Sequence, residues 1–318
     1  MPTTASPSIV FPRRKRFVRE TPEPFQLTER DVTLVDLIAE HRFLRSTHLS
    51  ELVEAPHKKV CDRLTSLFHA GYLDRPRAQL EFFRQDGGST PMVYALANRG
   101  AQLLVAHHGP DVSAVDWARK NDHAGRPFIQ HTLAIADLRV ALKRAVRARP
   151  GFQILEPEQL IAMAPPETRA RKRPWTWRTR VHHNDATIEI GLAPDHAFAI
   201  QYPDGRFRAF LVECDRGTMP VLRNNRKQTS VQRKFLAYYH AYRLGVHKER
   251  YGIGNFRVLT VTTSPQRIAT MIEAVKDLSG GSGSNLFLFA DAAALAAAPD
   301  VLAFEWLSGK GEPVHLID

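Results

Sequence analysis

Apolar and polar positions follow two rhythms along this chain, and the change of rhythm divides it. Residues 1–26 show neither; they are rich in Pro, Ser, Thr and Arg and read as a flexible basic arm. Order begins at "LTERDVTLVDLIAEH", where Leu34, Leu37 and Ile38 form a stripe at helical spacing. Thr28 caps this predicted helix, and Asp31 sits near the positive end of its dipole. "STHLSELVE" predicts a short second helix with Leu49, Leu52 and Val53 inward. "HKKVCDRLTSLFHAGYL" predicts a third, because Val60, Leu64, Leu67 and Phe68 recur at i, i+4, i+7 and i+8 and Gly71 is placed to end it. A strand around Leu73, the polar tip "RQDGGSTP", the strand "MVYAL" (92–96) and the helix "ANRGAQLLVAHH" complete this half.

Residues 109–125 are polar with glycine-containing turns and read as a linker. Beyond it, "HTLAIADLRVALKRAVRA" (131–148) predicts a long amphipathic helix with Leu133, Ala136, Val140 and Leu142 among its apolar positions. A strand "FQIL" (152–155) follows, then an irregular or hairpin excursion from Pro157 to Arg180. Strands are predicted within 186–200, at 207–214 and at 256–263, with a helix at 226–243 between the last two. A helix at 265–278, the loop "SGGSGS", a buried strand at 286–290 and a short helix at 292–298 follow.

Composition narrows the function classes. Two cysteines, Cys61 and Cys214, exclude a disulfide framework and a cysteine-based zinc site. His107–His108 and His182–His183 are adjacent pairs, so neither presents two imidazoles on one helical face. No apolar run is long enough to cross a bilayer, so the expectation is a cytoplasmic protein without membrane association. A net charge of +11, gathered at 12–19, 169–180 and 206–250, points to a polyanion and first to nucleic acid.

Three helices, a two-stranded hairpin and a further helix over 27–108 resemble a winged helix-turn-helix. That resemblance implies a major-groove surface on the third helix, from His57, Lys58, Lys59, Asp62 and Arg63, with Arg84 reaching from the wing. In the second half, "PDHAFAI" places Asp195 at the entry of one strand, and "LVECDR" places Glu213 at the end of its neighbour. Two acids so placed suit a shared divalent cation. Helix, three strands, helix, strand is also the core order of the restriction-endonuclease-like fold, and the motif is similar to that of PD-(D/E)XK nucleases. The resemblance implies Mg²⁺ or Mn²⁺ at Asp195 and Glu213, and a lysine two residues after the second acid. That position holds Asp215, a third candidate ligand. The candidates for a displaced lysine are Lys227 and Lys234 on the following helix, where Gln232 and Tyr238 or Tyr239 are loosely similar to the Gln-and-Tyr helix of exonuclease-type relatives. A cluster of Asp195, Glu213 and Asp215 demands a cation, solvent, or an arginine such as Arg216. His131 is a candidate proton carrier or DNA contact, or a helix-start residue; Trp175 and Trp177 are candidates for base stacking or packing.

With "HTLAIADLRVAL", "PDHAFAI" and "VECDRGTMP" together, the chain resembles the replication-relaxation family of bacterial mobile elements. The expected architecture is α/β (α+β overall): a winged helix-turn-helix, then a restriction-endonuclease-like domain (126–318) with a mixed central sheet. The implied function is DNA binding in plasmid replication, relaxation or mobilisation. Two alternatives stand beside it. One is an active Mg²⁺-dependent endonuclease; the other is a non-enzymatic regulator or adaptor for a relaxase or replication protein. Double-stranded DNA is the expected partner, and a homodimer on inverted half-sites is a further option.

Overall fold

The computed structural model describes residues 16–22, 24–80, 90–109, 115–183, 186–222 and 230–317. The chain is α/β, with a mixed central sheet, and divides into two compact units, Met1–Thr132 and Leu133–Asp318. Among the described residues, no helix is long and apolar enough to cross a membrane.

The first unit starts with α1 (Glu29–His41), followed by β1 (Leu44–Arg45), α2 (Ser46–Leu52) and α3 (His57–His69). Next come β2 (Leu73–Asp74), β3 (Val93–Leu96), α4 (Asn98–His108) and α5 (Trp117–Asp122). The three short strands pair antiparallel in the order β1-β3-β2. The helical stripes fall where the periodicity predicts: Leu34 and Ile38 of α1, and Val60, Leu64, Leu67 and Phe68 of α3, are buried. Gly71 ends α3 at φ +82°, a left-handed backbone that glycine adopts without steric cost. Gly100 meets a different demand, since a Cβ there would lie 2.2 Å from the Tyr72 carbonyl oxygen.

Polar contacts brace the unit. The Thr28 amide and hydroxyl donate to Asp31 Oδ2 at 2.8 and 2.9 Å, closing the first turn of α1. Arg63 of α3 clamps the same carboxylate, and its Nε is 2.9 Å from Oδ1. Asp31 is fully buried. Burial pushes its pKa up, but hydrogen bonds from Arg63 and Thr28 outweigh this and hold it below the ordinary value. Part of the segment read as a free arm is docked: Arg19 donates to the Phe68 and Leu73 carbonyls at 3.0 Å, and the Glu20 amide to His69 Nδ1 at 3.0 Å. Within the segment read as a linker, α5 buries Asn121, which donates to Asp74 at 3.0 Å and to the Leu96 carbonyl at 2.9 Å.

Helix α6 (Arg126–Arg147) begins earlier than its apolar stripe predicts and carries the chain into the second unit. There follow β4 (Gln153–Leu155), α7 (Pro157–Ala162), α8 (Pro166–Arg169), β5 (Trp177–His183), β6 (Ala186–Leu192), β7 (His196–Gln201) and β8 (Phe207–Cys214). The chain continues through α9 (Val231–Arg243), α10 (Val246–Tyr251), β9 (Phe256–Thr262), α11 (Pro265–Leu278) and β10 (Phe287–Asp291). It closes with α12 (Ala292–Ala297), β11 (Trp306–Ser308) and β12 (Pro313–Val314). Among the described residues, seven strands form one sheet in the order β12-β11-β10-β9-β8-β7-β4. The β8–β9 and β9–β10 pairs are parallel, and the others antiparallel. Parallel neighbours need crossover helices, which α9 to α11 provide. The stretch 186–200, read as holding one strand, holds two: β6 pairs with β5 as a separate hairpin, while β7 enters the central sheet.

Alternation along the central strands sends their side chains into two cores. Phe198, Phe210, Val212 and Cys214 pack with Leu138 and Leu142 of α6. Ala197, Ala199, Ala209 and Leu211 pack with Phe235 and Tyr238 of α9 and Met271 of α11. The period-two rule therefore puts Glu213 on the α9 face and Cys214 on the α6 face.

Candidate functional site

The sequence-predicted acids meet where β7 begins and β8 ends. Asp195 immediately precedes β7; its amide donates to the Val212 carbonyl at 2.9 Å, and its Oδ2 accepts from the Cys214 amide at 2.7 Å. These contacts fix the carboxylate against the end of β8, one residue from Glu213. Glu213 is buried, and its two oxygens are served by one helix: Lys234 Nζ lies 2.5 Å from Oε2, and the Tyr238 hydroxyl 2.6 Å from Oε1. Lys234 and Tyr238 are four residues apart on α9 and so share a face. The Trp177 and Tyr238 rings pack in a T-shaped arrangement with their centroids 6.1 Å apart.

The electrostatics follow from burial and proximity. Burial pushes the Glu213 carboxyl up; Lys234 and Tyr238 oppose this, Asp195 adds to it, and the net shift is upward. Burial pulls Lys234 down, but the carboxylates of Glu213, Asp195 and Asp215 outweigh it and leave its pKa raised. Lys234 is therefore a fixed cation near neutral pH rather than a proton acceptor. Burial likewise raises Tyr238 well above the ordinary phenol value, keeping it a donor. Cys214 on the opposite face is pushed well up by burial and by the charges of Asp195, Glu213 and Asp137, so it is an inert thiol rather than a nucleophile.

Asp215, the third candidate ligand, is held by side chains of β9 and α11. Arg267 of α11 grips both its oxygens, the contact to Oδ1 being 2.9 Å, and the Thr262 hydroxyl donates to Oδ2 at 2.6 Å. Burial raises this carboxyl, but Arg267 and Thr262 prevail and hold its pKa below the ordinary value. Arg267 thus supplies an arginine to the acid cluster at Asp215, and it also donates to the Met219 carbonyl. Among the described residues, no group of three or more His, Cys, Asp and Glu side chains is gathered for metal binding. Asp195 and Glu213 nonetheless present hard oxygen donors on adjacent strand ends. This suits Mg²⁺ or Mn²⁺, since Mg²⁺ usually takes one or two carboxylates and keeps several waters.

Lys227 and Arg84 lie outside the described residues. Gln232 turns away from the acids and donates to Asp277 at 3.1 Å, so of the helix's Gln and Tyr candidates Tyr238 is the one that reaches the site. Trp175 stacks on Tyr251 at 4.7 Å and Trp177 is buried, so both are packing residues. On α3, His57, Lys58 and Lys59 are exposed, while Arg63 is turned back to Asp31. On α6, where His131 stood as a candidate contact or a helix-start residue, the acid whose charge is felt at Cys214 is Asp137, six residues further along the helix. Sequence reasoning missed Arg267 and Thr262, which become visible only once β8 and β9 pair in parallel with Glu213 opposite Thr260.

A family model described as replication-relaxation matches residues 35–256. The chain belongs to the replication-relaxation family. The match begins within α1, takes in both acids and the Lys234–Tyr238 pair, and ends at the start of β9, before Arg267. No curated protein and no solved structure matches this replication-relaxation chain.

Proposed function

We propose that this replication-relaxation protein binds DNA of a mobile element through its first unit and cleaves a phosphodiester bond at Asp195, Glu213 and Lys234 of its second. The observation that carries this reading is the 2.5 Å contact of Lys234 with Glu213. The lysine absent from position 215 is supplied from α9, at the acid where a PD-(D/E)XK-like site needs it. Asp195 and Glu213 would hold Mg²⁺ or Mn²⁺, which when bound supplies charge neutralisation and an activated water. Asp195 is oriented by the Cys214 amide and Glu213 by Tyr238. Lys234 places a permanent positive charge beside both acids, where it offsets negative charge on a phosphate. Arg267 keeps Asp215 neutralised, so a third free carboxylate does not repel that phosphate.

The first unit supports the DNA-binding half of the reading. Its helix order and β1-β3-β2 sheet suit a winged helix-turn-helix with α3 as the recognition helix. Lys58 and Lys59 are exposed on the first turn of α3 and available to phosphates, whereas Arg63 is committed to bracing α1. Calorimetric titration of Mn²⁺ into the wild type, Asp195→Asn and Glu213→Gln tests the metal assignment. Binding by the wild type that is lost in both variants supports it; equal binding by all three refutes it.

A further inference from the structure

The second unit carries a basic surface that the acid site does not use. The stretch "RARKRPWTWRTR" (169–180) holds six Lys and Arg residues and no acid. Its fold turns the aromatic and basic side chains apart. Trp175 stacks on Tyr251 with ring centroids 4.7 Å apart, and Trp177 is buried against Tyr238. Arg169, Arg171, Lys172 and Arg173 are exposed. In β5, where Trp177, Thr179 and Val181 are buried, strand alternation leaves Arg178 and Arg180 exposed on the outer face. Arg178 meets Glu189 at 2.8 Å in an exposed pair that contributes little.

The turn before β5 is braced on both sides. The Thr168 hydroxyl donates to the Arg250 carbonyl at 2.6 Å. Arg250 Nη2 in turn donates to the Pro174 and Thr176 carbonyls at 3.1 and 2.6 Å, and the Tyr251 hydroxyl donates to the Pro174 carbonyl at 2.9 Å. Helix α10 thus grips the chain before Arg171 and after Arg173, and none of these bonds uses a side chain of Arg171, Lys172 or Arg173. Consecutive Cα atoms lie 3.8 Å apart, so Arg171 and Arg173 are at most about 7.6 Å apart. The result is a compact cationic triplet on a backbone fixed before any ligand arrives, which lowers the ordering cost of binding. Chain length keeps Arg173 within about 14 Å of Trp177. Trp177 packs on Tyr238, the donor to Glu213, so the triplet belongs to the same neighbourhood as the acids.

Guanidinium forks suit phosphate oxygens. With both tryptophans turned inward, the turn offers no ring to stack on a base. We infer that the turn at Arg171, Lys172 and Arg173 is a second DNA surface, which holds the phosphate backbone of a duplex near the acid site; the inference rests on the DNA-binding reading above. Phosphate contacts position DNA without reading its sequence, so the surface is indifferent to base order.

The test follows the anisotropy of two labelled duplexes of unrelated sequence across a salt series, with the full chain and the triple variant Arg171→Ala, Lys172→Ala, Arg173→Ala. The expected result is weaker binding to both duplexes, with a salt dependence shallower by about 2.7, from roughly 0.9 for each of three lost contacts. Arg171→Lys with Arg173→Lys keeps the charges and is expected to keep the wild-type slope. Unchanged affinity and slope in the triple variant, while the wild type binds both duplexes, would overturn this inference alone; failure of the wild type to bind any duplex would overturn the DNA-binding reading with it. Polyglutamate that competes at matched charge against the wild type but not against the triple variant would also overturn it, since the turn would then be a surface for acidic protein.

Discussion

Replacing Lys234 by Met isolates the interaction on which the site depends. Methionine keeps most of the apolar stem and removes the charge 2.5 Å from Glu213. Breaking a fully buried ion pair costs about 3–5 kcal/mol. Here the Glu213 side chain is 6% exposed but that of Lys234 is 40% exposed, so solvent screening lowers the expected cost to about 1–3 kcal/mol. The pH dependence has a definite sign. Burial already raises the folded-state pKa of Glu213, so its contribution is fully present below the unfolded value and is lost as pH rises through the folded one. Lys234 limits that rise; without it, the pKa climbs further and the loss extends toward neutral pH. Urea unfolding followed by tryptophan fluorescence should therefore show a cost of about 1–3 kcal/mol at about pH 8 that fades towards about pH 4. Adding Glu213→Gln should recover most of it, because the buried charge is gone. An equal cost at both pH values, or no recovery in the double variant, would refute the ion-pair account and assign the effect to packing of the stem.

Arg267→Ala leaves the Asp215 carboxylate with only the neutral donors Thr262 and the Gly217 amide and should cost about 2–4 kcal/mol near neutral pH. The folded pKa of Asp215 is depressed, so this cost should disappear as the solution is acidified through it, as measured by acid-dependent unfolding. Tyr238→Phe removes a buried hydrogen bond to a charged acceptor and should lower stability by about 1.5–3 kcal/mol in the same urea assay. Lys58→Ala with Lys59→Ala should leave the unfolding midpoint unchanged and reduce the salt slope of duplex binding by about 0.9 per lost contact. Arg63→Ala should do the reverse, lowering stability by about 2–3 kcal/mol through the buried Asp31 it leaves behind. Gly100→Ala drives a methyl group into the Tyr72 carbonyl and should destabilise the first unit by several kcal/mol, of order 1–3 for overpacking and more if α4 is displaced.

The fold was most legible where a period is long and one face is buried. The stripe of α3 and the strand before Glu213 are found where the pattern places them, because 3.6- and two-residue spacings map directly onto burial. Two-residue strands such as β1 and β2 carry no period, and β11 and β12 are set by pairing with β10 and with each other rather than by local composition. The division of 186–200 was hidden for a similar reason: β6 and β7 are both apolar, and only their partners distinguish hairpin from central sheet. In the site, Asp195 and Glu213 were readable from strand ends, and Lys234 and Tyr238 stood among the candidates on the following helix beside Lys227 and Tyr239, with only the fold showing that these two share the face turned to Glu213. The fate of Asp215 was not, because Arg267 is 52 residues away in sequence and reaches it through the parallel pairing of β8 with β9. The contact of Arg63 with Asp31 was hidden for a related reason. An arginine on the face of a predicted recognition helix reads as a DNA contact until the buried Asp31 beside it is known.

Whether the second unit cuts DNA is decided by conversion of supercoiled plasmid to nicked or linear product in Mg²⁺, Mn²⁺ or EDTA. The wild type is measured beside Asp195→Ala, Glu213→Gln and Lys234→Ala. The expected result is metal-dependent cleavage that is lost in both acid variants and falls sharply in Lys234→Ala, with Lys58→Ala and Lys59→Ala reducing it through binding. Salt-sensitive DNA binding with no metal-dependent cleavage, or cleavage that survives removal of Glu213 and Lys234, would contradict it and leave the second unit as a scaffold that holds DNA without cutting it.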